Sequence, residues 1–155
     1  MKSVTGLAGL LCGAALVASC SYNATFDASD EALNAVADEN FRDLAAGRNE
    51  AVLARLSSEN SQDQARAQLP MLKGLLPDLE APDPGVASSQ KTKSNQGEFY
   101  AVRQDYAYPD RTARVETTFK KEGEGWKVRS FNVNVTMRPG AAPATKAGET
   151  PPHSD

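Results

Sequence analysis

The chain has 155 residues, room for one domain. It carries 17 basic and 20 acidic side chains, a net charge of −3, and residues 21–85 hold twelve acidic groups against five basic ones. A half so acidic repels phosphates and anionic headgroups, which excludes nucleic acid as a partner and electrostatic docking on a lipid surface.

Residues 1–19 read as a secretory signal. Met1-Lys2-Ser3 supplies one positive charge, and Val4 to Ala18 runs without any charge. A membrane span needs roughly 20 apolar residues, and this run is shorter and followed at once by polar ones. It ends Val17-Ala18-Ser19-Cys20, which resembles the lipobox of bacterial lipoproteins. The resemblance implies cleavage after Ser19 and lipid on the Cys20 thiol. It makes the membrane a partner through that lipid. Cys12 sits behind Leu10-Leu11 and leaves with the signal, so the mature chain has no disulfide and no thiolate metal site. Ser21 stands where an aspartate favours inner-membrane retention in enterobacterial lipoproteins. By that rule the protein belongs to the periplasmic side of the outer membrane.

Residues 20–28 read as a lipidated polar tether, and a single domain is expected over residues 29–137. Ser29 is the expected N-cap of a helix from Asp30 to Ala46, with Leu33, Val36, Ala37, Phe41 and Leu44 on one face and Gly47 as its stop. Asn49 can cap a short second helix with Val52, Leu53 and Leu56. Ser61 and Gln64 have capping-box spacing for a third. Pro70 must kink that helix or start a new segment, because it removes a donor. Gly74 and Pro77 end it.

Beyond a proline-rich connection at residues 77–85 the apolar period becomes two. Val86 to Lys93 is barely apolar, at best an exposed edge strand. Glu98 to Tyr108 is a strand with Tyr100, Val102, Tyr106 and Tyr108 on one face and Gln104 as the polar exception. Arg111 to Lys121 follows, with Ala113, Val115, Thr117 and Phe119 inward. Trp126 to Met137 is the last strand. Its apolar residues change parity between Val128 and Phe131: a β-bulge near Arg129-Ser130 would restore one facing, the favoured reading, and the alternative is that both faces are partly buried, one by helices and one by a partner. Residues 138–155 hold four prolines and no large apolar residue, so a disordered tail is expected.

The class is α+β: two to three helices packed on a curved antiparallel sheet of three to four strands. The hairpin Tyr106-Ala107-Tyr108-Pro109-Asp110 and the closing run from Gly125 to Asn134 resemble small membrane-tethered proteins of the nuclear-transport-factor-two-like superfamily. That resemblance implies a cone whose concave face receives the helices. It does not imply an activity, because the superfamily holds isomerases, cyclases and noncatalytic binding modules.

Chemistry has little material. The one histidine, His153, lies in the tail, so neither a histidine-based triad nor a histidine-ligated zinc is available. No cofactor is expected. Tyr100, Tyr106, Tyr108, Trp126 and Phe131 are the residues that could line a pocket, and Arg103, Asp105, Arg114 and Glu116 the polar groups near it. Ordinary strand packing and an exposed strand face explain the same residues. The expectation is a noncatalytic lipoprotein of the cell envelope that binds a protein partner or dimerises through its sheet. A carrier of a small apolar ligand in the cone, or an isomerase- or cyclase-like enzyme using Tyr and Asp there, are the alternatives.

Overall fold

The computed structural model describes residues 23–26 and 28–140. Cys20, the signal and the residues after Gly140 lie outside the described residues. In chain order the elements are β1 (Asn23–Phe26), α1 (Glu31–Ala45), α2 (Asn49–Ala54), α3 (Gln62–Gly74), β2 (Gly85–Ser94), β3 (Gly97–Ala107), β4 (Arg111–Glu122) and β5 (Gly125–Met137). The class is α+β. The strands form one antiparallel sheet in the order β1-β2-β3-β4-β5, and the helices pack on one of its faces.

Two expectations change at the N-terminal side. Part of the expected tether is strand: Asn23–Phe26 pairs with β2 from Asn23↔Lys93 to Phe26↔Gln90. As a result β2 is an interior strand, not an edge. Its low apolar content survives there because the helices do not cover it. Only Ser89 of its ten residues is buried.

The helices start and stop for local reasons. The N-cap of α1 is Asp30, not Ser29: its carboxylate accepts from the Leu33 N–H at 3.1 Å. Gly47, at φ +72°, follows its end. The N-cap position of α2 is Arg48, which makes no side-chain cap, and Asn49 is the first helical residue instead. Ser61 caps α3 as expected, its hydroxyl accepting from the Gln64 N–H. Pro70 lies inside α3 and does not break it. The proline faces solvent near the C-terminal end, while Leu69 beside it is buried and holds the helix to the core.

The expected bulge is present. Thr118 pairs with Ser130 and Phe119 with Val128, which leaves Arg129 as the extra residue of β5. Trp126 and Val128 before it then share a face with Phe131, Val133 and Val135 after it. A two-residue loop joins β4 to β5, with Gly123 at φ +60°, a conformation that favours glycine.

The core has two parts beneath the helices. Leu33 and Ala37 of α1 pack with Tyr100, Val102, Phe119 and Val128. Phe41 and Leu44 pack with Val52, Leu53 and Leu69 of the other helices and with Tyr106, Tyr108, Ala113 and Val115. Leu56 and Phe131 touch both parts and join them. Each fully buried Leu, Val or Phe of this core contributes about 1.5–3 kcal/mol.

Candidate functional site

The interior beneath the helices is filled. Tyr100, Tyr106 and Tyr108 are each at most 2 % exposed. They are core side chains and do not form the walls of an open pocket. The Phe41 and Tyr106 rings stack with centroids 3.9 Å apart, and Tyr100 lies against Phe119 at 6.4 Å. Trp126 is half-buried at the rim, with the Lys91 ammonium over its ring at 5.8 Å. Phe131 borders an open groove. That groove, about 150 Å³, runs between α3 and β5 and is also lined by Leu56, Ala65 and Leu72. The five residues expected to share a pocket are therefore not brought together around one.

A polar seam runs along one side of α1, on residues four apart. The Asp30 N–H donates to the Tyr100 hydroxyl, which in turn donates to Asn34 Oδ1 at 2.8 Å. Gln104 Nε2 donates to the Asn34 carbonyl at 3.1 Å. The Tyr106 hydroxyl lies 3.2 Å from Asp38 Oδ1 and 3.3 Å from Gln104 Oε1. Arg42 Nε then grips Asp38, and its other nitrogens reach the Ala81 and Pro82 carbonyls of the connection to β2. Burial and the neighbouring Asp38 carboxylate push the Tyr106 hydroxyl far above its ordinary pKa, so it stays protonated and donates. The seam locks α1 to β3 and gives the Tyr100, Gln104 and Tyr106 polar atoms partners on α1, while the buried Asn40 side chain of α1 lies outside it with no hydrogen-bond partner. It explains Gln104, the polar exception of its strand. The i+4 spacing of Asp30, Asn34, Asp38 and Arg42 was the signal for it.

A second buried cluster joins α1 to α2. The Asp43 side chain is 5 % exposed, with Arg48 Nε at 2.6 Å and Arg55 Nη1 at 2.5 Å. Arg55 also holds Glu39 at 2.6 Å. Burial acts to raise the Asp43 pKa, but the hydrogen bonds from Arg55 and Arg48 outweigh it and hold the carboxyl below its usual range. Arg42 of the seam and Arg48 of the cluster border an open hollow of about 360 Å³ beside Asp78 and Glu80, and neither Tyr106 nor Asp43 lines it. Among the described residues no group of three His, Cys, Asp or Glu is placed to hold a metal ion.

The sheet face turned away from the helices is open and polar. Arg103 pairs with Glu116 at 2.6 Å, and Arg114 holds Asp105 with two bonds of 2.8 Å. These are direct cross-strand partners, Arg103↔Glu116 and Asp105↔Arg114. The hydrogen bond and charge of Arg114 lower the Asp105 pKa, so that carboxylate is ionised and is no proton donor at neutral pH. Asn132, Asn134 and Thr136 of β5 continue the face. Together with Asp105, Arg114 and Glu116 they line a hollow of about 760 Å³. An exposed pair of this kind contributes about 0–1 kcal/mol. Asp105→Ala should therefore shift the urea midpoint of the domain little, and a loss above about 1 kcal/mol would show that the ladder is structural.

No family model, no curated protein and no solved structure matches the chain.

Proposed function

We propose that the chain is a lipoprotein of the bacterial cell envelope, held on a membrane by lipid on Cys20, whose domain is a noncatalytic binding or dimerisation module. The finer fold we propose is the nuclear-transport-factor-two-like cone, with the helices in the concave face of the sheet. The observation that carries the noncatalytic reading is the filled interior. Acid–base catalysis needs a titratable group facing a space where substrate can sit. Here Tyr106 and Asp43 are spent on seam and cluster contacts, and Asp105 is clamped by Arg114 on an open face. The polar outer face and the edges of the sheet are what remain for recognition. Among the described residues no helix is long and apolar enough to cross a membrane. The lipobox Val17-Ala18-Ser19-Cys20 is what supports attachment through lipid. Ser21 after the cysteine favours the periplasmic side of the outer membrane.

The start of β1 at Asn23 sharpens how the domain would be held. Only Ser21 and Tyr22 lie between Cys20 and the sheet, and three residue steps reach at most about 10 Å. The lipid would hold the β1 edge of the sheet close to the bilayer. Two acyl chains suffice for stable anchoring, at about 0.8 kcal/mol per buried CH₂. Cys20→Ser should move the protein from the membrane to the soluble fraction and abolish incorporation of a labelled fatty acid, with the domain still folded. A variant that stays with membranes after a salt wash would refute the anchor.

A further inference from the structure

We propose that the free edge of β5 is a self-association surface, on which a second copy of this chain adds its own β5 antiparallel, joining two five-stranded sheets. This deepens the reading of the domain as a binding or dimerisation module.

The direction of the backbone groups comes first. Val128 turns its N–H and C=O away from β4, to the Arg55 carbonyl and the Ser57 N–H, each at 2.8 Å. Its side chain points into the core. Along a strand, side-chain face and hydrogen-bond direction alternate together. The bulge at Arg129 passes the inner face to Phe131, Val133 and Val135, so these residues turn their N–H and C=O to the open edge. Arg138, of the opposite parity, agrees: its N–H bonds back to the Asp110 carbonyl at 2.8 Å. Among the described residues no backbone bond meets the outward groups of Phe131, Val133 or Val135.

Edge strands are ordinarily blunted by charge, proline or shortness. β5 has 13 residues, and its run from Ser130 to Met137, SFNVNVTM, contains no charged residue and no proline. The segment around Arg55–Ser57 covers the edge at Val128, α3 borders a groove beside Arg129–Phe131, and no described backbone group bonds the edge beyond Val128. The run is fitted to itself. With Asn134 on a two-fold axis normal to the sheet, Phe131 lies opposite Met137 of the second copy, and Val133 opposite Val135. Inner side chains meet inner ones, and Asn132 meets Thr136 on the outer face. No charge opposes a like charge along this run. Met137, 56 % exposed, gains an aromatic neighbour. The hollow bordered by Asn132, Asn134 and Thr136 then continues across the joint into its symmetry mate.

The test uses two differently tagged full-length copies, co-expressed and isolated through one tag in mild detergent. The unmodified copies should co-purify. Asn134→Lys in both copies sets two ammonium groups face to face at the axis, and Asn134→Asp in both sets two carboxylates there. Each should lose co-purification, and one Lys copy with one Asp copy should restore it. Val133→Pro should also lose it while the sheet stays intact, because the deleted N–H points outward. Unmodified copies that do not co-purify, a Lys–Lys pair that co-purifies like the native one, or no rescue by the Lys–Asp pair would each overturn the proposal. Fractionation of Cys20→Ser reads the anchor separately, so failure of one does not imitate failure of the other.

Discussion

Replacing Asp43 with alanine should lower the unfolding free energy by about 3–5 kcal/mol, the cost of removing one partner from a buried ion pair. The Asp43 side chain is 5 % exposed and is the shared acceptor of Arg48 and Arg55. Without it Arg55, itself mostly buried, keeps only the exposed Glu39 and the Ala51 carbonyl. Asp43→Asn keeps the shape and one acceptor oxygen, so it should cost less than alanine. The same cluster sets a pH dependence. The Asp43 pKa is held down in the folded chain, so its contribution is present above the unfolded carboxyl value of about 3.9. It is lost as pH falls through the lower folded value. Urea unfolding at pH 7 and again below pH 4 measures both effects. The native domain should lose stability over that acid range, and Asp43→Asn should lose less. An Asp43→Ala variant within about 1 kcal/mol of the native protein would mean that the pair is solvated.

What was legible in the sequence and what was not divides along one line: local rules against non-local pairing. The apolar stripe of α1, the Ser61 cap, the inward parity of β3 and β4 and the bulge beside Arg129 all follow from spacing within a few residues. The parity break between Val128 and Phe131 allowed either a bulge or a strand buried on both faces, and the register shift decides for the bulge. β1 was missed because four residues, Asn-Ala-Thr-Phe, carry no periodicity, and their strand exists only through β2, some 60 residues later. With β1 unseen, β2 had to read as an edge. Asn40 and Asp43 are buried on α1 for a similar reason. A stripe counted on apolar residues passes over both, and Asp43 is covered by arginines that the turn after Gly47 folds back on it. The aromatic residues of β3 were legible as inward-facing. Whether inward meant cavity or core depended on how closely α1 lies on the sheet. The seam from Asp30 to Arg42 sets that distance, and its contacts close the space a ligand would need.

Tyr106 tests that closure most directly. Its ring is fully buried, stacked on Phe41 at 3.9 Å, and its hydroxyl meets Asp38 and Gln104. Tyr106→Ala removes a large core side chain and leaves a cavity between α1 and β3, at an expected cost of about 3–5 kcal/mol. Tyr106→Phe keeps the stack and deletes only the hydroxyl. Asp38 retains Arg42, but Asp38 Oδ1 and Gln104 Oε1, which share the single hydroxyl proton, are left with one donor fewer where Gln104 is 1 % exposed. Leaving one buried acceptor unmet costs about 1–3 kcal/mol, so the phenylalanine variant should fall between native and alanine. The order matters more than either value. A closed, load-sharing interior predicts native, then Phe, then Ala, with the m-value unchanged in all three. A roomy, ligand-holding cone predicts a different result: Tyr106→Ala would be mild, because the ring would border space already open. Equilibrium urea unfolding of the three proteins decides between a domain that works through its outer surface and edge and one that works through its interior.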